Sequence, residues 1–124
     1  MPYNFDNNLP IYIQLVEIIR IDIVSGKLPK GQKIPSVREM AVKMQVNPNT
    51  MQKALAELEN EGLIYTERTN GKYVTEDEGL IEKTKTELAQ QKVINFINDM
   101  QDIGIDLDKS IEYLNEFGGK NEIS

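Results

Sequence analysis

A run of seven consecutive residues near the middle of the chain contains five side chains suited to recognition by hydrogen bonding. The run is Asn47, Pro48, Asn49, Thr50, Met51, Gln52 and Lys53, in which Pro48 and Met51 are the apolar members. The amides of asparagine and glutamine can pair through two hydrogen bonds with the edge of adenine, threonine can contact a phosphate or a thymine methyl, and lysine adds positive charge. This chemistry is the binding of nucleic acid, in which no bond is made or broken. The competing interpretation is that Asn47 and Asn49 only cap a surface helix.

Two residue types that many enzymes use are missing from the chain, although chemistry with carboxylates alone remains possible in principle. It has no histidine and no cysteine, which removes imidazole bases, thiol nucleophiles, disulfides and the usual zinc ligands. Asp102, Asp106 and Asp108 could hold a cation, but we interpret them as solvated carboxylates, with Asp106 as a helix cap. We therefore predict no enzymatic activity, no catalytic residue, no bound metal and no cofactor.

Targeting signals are also missing from the sequence. No stretch reaches the roughly 18 apolar residues of a membrane-spanning helix. The first fifteen residues lack the positive segment and the cleavage site of a signal peptide. The absence of cysteine suits a reducing compartment. We expect a cytoplasmic protein with no membrane partner.

The net charge of −6 is unexpected for a nucleic-acid binder, but it is distributed unevenly. Residues 1–75 carry nine basic and eight acidic side chains, whereas residues 76–124 carry five and twelve. The acidity therefore belongs to the C-terminal third of the chain. Because the first 75 residues have a net charge of only +1, any contact with DNA must depend on where the individual cations lie.

Two helices are predicted ahead of the seven-residue run. The first helix is predicted to begin at Pro10 and to end at Gly26, because proline is favoured at the first helical position and glycine just past a helix end. Its apolar residues cover more of the helix than one solvated helix uses, and we expect part of it to pack against another chain. Residues 27–35 are predicted to form a loop. Ser36 and Glu39 then form a capping-box pair that begins the second helix.

A third helix and a hairpin complete the pattern. Asn47 is predicted to cap the third helix, with Pro48 at its first position and Gly62 at its end. The Asn70-Gly71 pair, flanked by β-forming residues, predicts a hairpin. The order helix, helix, turn, helix, hairpin is that of a winged helix-turn-helix. In this fold the second helix of the pair enters the major groove with its N-terminal residues.

The remaining chain is predicted to form a long polar helix and a short one. Two helices of this length cannot enclose a small-molecule pocket of several hundred Å³, and we interpret them as a dimerisation hairpin. The predicted fold is therefore mainly α with a small β-hairpin. A winged helix-turn-helix DNA-binding domain occupies residues 1–76, and a C-terminal helical dimerisation hairpin occupies residues 77–124.

Two further groups of residues are candidates for DNA contacts. Ser36 and Arg38 begin the second helix. Arg38 can reach the DNA backbone or the edge of the groove there, and Ser36 can share its hydroxyl or N–H with a phosphate. The alternative for Arg38 is a surface ion pair with Glu39 or another carboxylate, which would contribute little to stability.

The wing tip is expected to enter the minor groove or follow the phosphates. It contributes Arg68, Thr69, Asn70, Gly71 and Lys72. The alternative is a hairpin that only closes the core. Lys27, Lys30 and Lys33 are interpreted as solvated loop charges, one or two of which could flank the backbone.

Two segments carry a resemblance to a known family. GKLPKGQKIPSVREMA (Gly26–Ala41) and VNPNTMQKALAELENEGLI (Val46–Ile64) closely resemble the GntR family of bacterial regulators. PIYIQL (Pro10–Leu15) and the short C-terminus are similar to the YtrA-type subfamily. The resemblance implies a homodimer on a double-stranded DNA operator of two-fold symmetry, usually repressing nearby genes, often those of transporters. It also implies DNA contacts by Arg38, Asn47, Asn49, Thr50, Gln52 and Gly71.

The sequence departs from the family pattern at three positions. Many members have arginines where this chain has Pro48 and Gln52, and its base preference therefore does not carry over. The wing commonly has glycine where Thr69 stands. The large effector-binding domains of other subfamilies are missing, which leaves the small-molecule effector unknown. Repression and activation both remain open.

The net charge of −6 favours an alternative function, that of a winged-helix module that binds protein.

Overall fold

The computed structural model describes residues 5–119, in which the elements follow the predicted order. Three helices come first: α1 (Ile11–Val24), α2 (Val37–Met44) and α3 (Pro48–Asn60). An antiparallel hairpin of β1 (Ile64–Glu67) and β2 (Gly71–Val74) follows. The chain then forms α4 (Glu78–Asp102) and α5 (Leu107–Tyr113), continued by a π-helical turn at Leu114–Gly118. The predicted fold class, mainly α with a small β-hairpin in the order of a winged helix-turn-helix, is confirmed.

The chain divides into two units, the first reaching Lys85 and the second starting at Thr86. The core of the first unit is formed by α1, α2, α3 and the hairpin, together with Ile34 from the segment before α2. Its largest fully buried members are Leu15, Ile19, Ile23, Met51, Leu55, Leu58, Leu63, Ile64 and Val74. Leu80 and Ile81 pack against this core, and the first turns of α4 therefore belong to the winged unit. The predicted assignment of residues 77–124 to dimerisation concerns function and stays a prediction.

α1 has a wider apolar surface than the described chain covers. It buries Leu15, Val16, Ile19 and Ile23, whereas Ile11 and Ile13 remain 41% and 44% exposed. The helix begins one residue later than predicted. Pro10 has an extended ψ of 139° and stands at the N-cap, where its carbonyl accepts the Ile13 N–H at 3.2 Å. Pro10 is therefore not the first helical residue.

The turn between α2 and α3 is set by local hydrogen bonds. The predicted capping box is present: the Ser36 hydroxyl accepts the Glu39 N–H, and the Glu39 carboxylate accepts the Ser36 N–H. α2 ends because Gln45 takes a left-handed φ of 58°, which lets the Val46 N–H reach the Ala41 carbonyl at 3.0 Å. Such a closure stops a helix within one turn. The chain is then ready to begin α3 at Asn47.

The hairpin is confirmed, but Asn70-Gly71 is not its central pair. The register places Glu67 opposite Gly71, and the connecting loop is therefore residues 68–70. The Asn70 N–H donates to the Glu67 carbonyl at 3.3 Å, while Gly71 has φ +99° and begins β2. A tight turn followed by a glycine with positive φ is the usual three-residue alternative to a two-residue hairpin loop.

β2 also pairs with a segment that the sequence predicted to be a loop. The Ile34 N–H donates to the Lys72 carbonyl and the Val74 N–H donates to the Gln32 carbonyl, both at 2.9 Å. A single bridge between Lys33 and Tyr73 results. The segment is rich in proline, glycine and lysine, and its sequence is therefore typical of a loop. A single bridge requires no alternating strand pattern, and the sequence accordingly gave no sign of the pairing. β2 is therefore held on both sides.

The second unit is built from the later part of α4 and from α5. Asp106 caps α5 as predicted, since its carboxylate accepts the Lys109 N–H at 2.9 Å. The ring of Tyr113 stacks on that of Phe117 with 6.1 Å between centroids. Within the part of this unit that the structure describes, only Ser110 is buried. No helix among residues 5–119 combines the length and the apolar character needed to cross a membrane.

Candidate nucleic-acid interface

α3 presents two chemically different faces. Its buried face consists of Met51, Ala54, Leu55 and Leu58, none of which is exposed to solvent. On the opposite side of the first turns, Asn47, Pro48, Asn49, Gln52 and Lys53 are exposed. The 3.6-residue period produces this separation, because positions 51, 54, 55 and 58 share one face of a helix. The packing of α3 on the core therefore leaves its polar leading turn accessible.

The backbone N–H groups at the start of α3 are bonded within the chain. The side-chain oxygen of Asn47 accepts the Asn49 N–H at 2.7 Å. The backbone carbonyl of Asn47 accepts the N–H groups of Thr50 and Met51, both at 3.0 Å. Pro48 has no N–H. These N–H groups are therefore not available to a phosphate in this conformation. Recognition by this turn must come from side chains.

Two of the predicted contact residues in α3 are less available than their exposed neighbours. Thr50 is half-buried. The ammonium of Lys53 lies 4.0 Å from the centroid of the Tyr12 ring on α1. A cation over an aromatic face is favourable by about 0.5–1 kcal/mol at exposed sites. The Lys53 charge therefore lies beside α1, whereas Asn49 and Gln52 are the exposed amides.

The start of α2 places an unpaired arginine beside the capping box. Arg38 is exposed in the first turn, and no carboxylate in residues 5–119 forms an ion pair with it. Glu39, the partner considered from sequence, accepts the Ser36 N–H instead. That bond and the Ser36 hydroxyl lower the pKa of Glu39. The ion-pair alternative for Arg38 therefore lacks its partner.

The wing separates its two predicted cations. Arg68, Thr69 and Asn70 are exposed in the loop at the tip. Lys72 points to the protein instead, where its ammonium donates to Glu59 of α3 at 2.9 Å and to the Thr66 hydroxyl at 3.0 Å. Only 18% of the Lys72 side chain is exposed. Of the two, Arg68 alone carries its charge at the tip.

A cleft between the wing and the start of α2 brings together residues that are distant in sequence. Lys33, Ser36, Asn70 and Gly71 are among the residues that line it. Gly71 lies so close to Lys33 that an added Cβ would stand 3.2 Å from Cε of the lysine. Lys33 was interpreted as a solvated loop charge, although it stands only three positions before Ser36. The pairing of residues 32–34 with β2 carries it to the wing.

The acidic residues late in α3 are held by cations of the protein. Glu61 binds Arg20 of α1, which also contacts Glu17. Glu59 binds Lys72, and a hydrogen bond from Thr66, followed by the effects of that lysine, lowers the pKa of Glu59. These carboxylates are therefore part of the packing of α3. The exposed hydrogen-bonding groups stand at the other end of the helix.

Known proteins share this arrangement. The model of the gntR family of bacterial regulatory proteins matches residues 11–74. The chain is 34% identical to the HTH-type transcriptional repressor YtrA of Bacillus subtilis over 92% of each chain. A GntR family transcriptional regulator from Listeria monocytogenes is 46% identical, with a TM-score of 0.83 over 90% of this chain and 98% of that one.

A solved complex relates the winged unit to DNA. AraR(DBD) in complex with operator ORR3 is 33% identical over 60% of this chain and 90% of that one, with a TM-score of 0.52. The predicted resemblance to GntR regulators, including YtrA, is thereby confirmed. The family match covers more than half of the chain, and the YtrA match covers nearly all of it. The chain therefore belongs to the gntR family of bacterial regulatory proteins and is a DNA-binding transcriptional regulator, not an enzyme.

Proposed function

We propose that the protein is a sequence-specific repressor that binds a palindromic operator as a homodimer, with transporter genes among its targets. The observation that carries the proposal is the exposed first turn of α3. Asn49 and Gln52 present amides to solvent, and Asn47 is exposed beside them with its amide oxygen bonded to the Asn49 N–H, while the opposite face of the helix is fully buried. Amides at the start of such a helix can read adenine in the major groove. The transporter targets rest on the family resemblance alone.

The proposed contacts divide by element. The residues of α3 face the bases, Arg38 of α2 reaches the backbone or the edge of the groove, and the wing follows the phosphates or the minor groove. The set is Ser36, Arg38, Asn47, Pro48, Asn49, Thr50, Gln52, Lys53, Arg68, Thr69, Asn70, Gly71 and Lys72. Lys53 lies over the Tyr12 ring, and its contribution to binding is expected to be small. Lys72 is bound by Glu59, and it is expected to act through the wing without contacting a phosphate.

We expect a second copy of the chain to pack against the apolar surface of the C-terminal unit, which lies within residues 77–124. Large apolar side chains of this unit are about half exposed or more: Val93, Ile94, Ile103, Leu107, Ile111, Leu114 and Phe117. Two short helices with so little buried surface are not stable alone. A symmetric interface between two copies would bury this surface. It would also supply the two DNA-reading helices that a palindromic site requires.

Relatives support the repressor assignment. YtrA and NagR of Bacillus subtilis are both named HTH-type transcriptional repressors, and NagR is 33% identical over 85% of this chain. A repressor needs no chemistry beyond occupying its site. The exposed amides of α3, Arg38 and the wing are sufficient for that role. The small-molecule effector is not assigned.

Selection of bound duplexes from a random pool tests the proposal directly. We expect one palindromic sequence to be enriched, with affinity in the nanomolar range that falls steeply with salt. Arg38→Ala should weaken binding to that duplex by about 1–3 kcal/mol if the arginine contacts a base. Lys43→Ala, on the same helix, is the control. Failure to bind any duplex at low salt would favour the protein-binding module, and unchanged binding by Arg38→Ala would remove that residue from the interface.

Sedimentation of two matched variants tests the dimer. Leu114 is 53% exposed in the C-terminal unit, and its neighbour Asn115 is an exposed polar residue. Leu114→Asp should dissociate the dimer because it places a charge in an apolar interface, whereas Asn115→Asp should leave it intact. A wild-type chain that sediments as a monomer at micromolar concentration would contradict the homodimer.

A further inference from the structure

One carboxylate connects the DNA-reading helix to both strands of the wing. Glu59, in the last turns of α3, accepts the Thr66 hydroxyl at 2.5 Å and the Lys72 ammonium at 2.9 Å. Lys72 also donates to the Thr66 hydroxyl at 3.0 Å. Thr66 and Lys72 are directly opposite each other on β1 and β2. The three side chains therefore form a closed triangle, which we call the Glu59 latch.

The Glu59 latch is better shielded than an ordinary surface ion pair. The side chains of Lys72 and Glu59 are 18% and 31% exposed, whereas those of Lys30 and Glu78, which also form an ion pair, are 51% and 72% exposed. Exposed pairs contribute little because solvent screens them and their side chains must be ordered. Charge-assisted hydrogen bonds with less solvent around them are stronger. The latch is therefore able to restrain the hairpin.

The latch provides the last side-chain hydrogen bonds before the tip, beside the backbone bond from Ile34 to the Lys72 carbonyl. At the base of the hairpin, Ile64 and Val74 are buried in the core. Beyond the latch, residues 67–71 are all exposed. Among residues 5–119, the turn is closed by local backbone bonds and by Lys33, whose side chain lies close to Gly71. Such a tip has little apolar contact to hold it, and segments of this kind open most easily. Removal of the latch should release the tip first.

We propose that Glu59 is a positioning residue that fixes the wing relative to the DNA-reading turn of α3. Lys72 then acts inside the protein and makes no phosphate contact, which leaves Arg68 and Lys33 as the cations that the wing region presents to DNA. This inference rests on the proposed DNA-binding function. A negative charge beside the wing by itself weakens the binding of DNA. The positioning role gives a reason for Glu59 to be there.

The sign of the effect distinguishes positioning from electrostatics. Glu59→Gln removes a negative charge and frees Lys72, which would strengthen DNA binding if charge alone mattered. If Glu59 positions the wing, the same variant should weaken binding to the selected operator by about tenfold, the scale of one charge-assisted hydrogen bond. Glu57→Gln is the control, because it makes the same charge change on the same helix without a wing contact. Binding by Glu59→Gln that equals or exceeds that of the control would overturn the proposal.

The salt dependence of binding reports on Lys72 separately. Each lost phosphate contact lowers the slope of log K against log salt by about 0.9. Arg68→Met should lower the slope by about that amount. Lys72→Met should weaken operator binding and leave the slope unchanged, since its ammonium neutralises no phosphate. A reduced slope for Lys72→Met would show that this lysine binds DNA and would refute its internal role.

A measurement without DNA keeps the latch testable if the selection yields no operator. In Glu59→Gln, amide hydrogen exchange of residues 66–72 should quicken by about tenfold, while amides of α1 and α3 keep their wild-type rates. The exchanged pair Glu59→Lys with Lys72→Glu should restore slow exchange because the contact re-forms with reversed charges. Unchanged wing exchange in Glu59→Gln, or no recovery in the exchanged pair, would overturn the latch. Absence of an operator would instead refute the proposed function.

Discussion

Replacing Asn47 by aspartate separates its role as a helix cap from its proposed role at the DNA. The Asn47 side-chain oxygen accepts the Asn49 N–H at 2.7 Å. Aspartate offers the same acceptor and is an equally good N-cap. Its negative charge also interacts favourably with the helix N-terminus, by about 0.3–1 kcal/mol. The free energy of unfolding of Asn47→Asp should therefore equal that of the wild type or exceed it by up to about 1 kcal/mol.

The effect on DNA binding should have the opposite sign. A carboxylate on the exposed face of this turn would approach the phosphates of a bound duplex. Two like charges at about 4 Å repel by about 1 kcal/mol in water and by about 4 kcal/mol at an effective dielectric constant of about 20. These energies correspond to affinity losses of about 5-fold and about 900-fold. Because mobile ions screen the repulsion, the loss should shrink as salt is added.

Fluorescence anisotropy with the selected duplex, at low and moderate salt, measures the affinity loss. Urea unfolding of the same samples measures stability. Asn60→Asp is the matched control, since Asn60 is the exposed asparagine at the other end of α3. A stable Asn47→Asp variant that binds within about twofold of wild type at low salt would refute the reasoning. Asn47 would then be a cap and nothing more.

Three further predictions concern stability, each measured by urea unfolding. Leu55→Ala removes a fully buried side chain of α3 and should cost about 2–5 kcal/mol; a loss below about 1 kcal/mol would contradict the assigned core. Gly71→Ala should cost about 1–2 kcal/mol, since φ is +99° and the new Cβ would stand 3.2 Å from Lys33, whereas Gly118→Ala meets nothing within 4 Å and should be neutral. The lowered pKa of Glu59 means that its contacts stabilise the fold above its unfolded pKa of 4.5 and that this contribution is lost as pH falls below that value. Glu59→Gln should therefore flatten the acid side of the stability profile, and an unaltered profile would count against the latch.

Local interactions explain how much of the fold could be predicted from the sequence. The Ser36–Glu39 capping box and the Asn47 cap join residues two or three positions apart, and their signals therefore stand together in the sequence. The buried positions of α3 follow from the helical period in the same way. The exact turn of the wing was not predictable, because Asn70-Gly71 suits both a two-residue loop and the three-residue loop that the register shows.

Contacts between distant residues were beyond the sequence. Lys72 and Lys53 are residues of the type expected to bind DNA phosphates. The ammonium of Lys72 binds Glu59 instead, and that of Lys53 lies over the Tyr12 ring. Lys33 had the composition of a solvated loop residue. A side chain's type states which bonds it can form, but its partner depends on which elements pack together.

The amino-acid sequence by itself determined the order of the elements, the family and the polar leading turn of α3, because periodicity, caps and turn residues are local properties. Only the tertiary structure decided where the charges point. Packing of the hairpin against α3 brings Glu59 to Lys72, and pairing of residues 32–34 with β2 brings Lys33 to the wing. Ion pairs form over a few ångströms of space irrespective of separation along the chain, and only the folded arrangement of α3, the wing and α1 brings these groups within reach of one another.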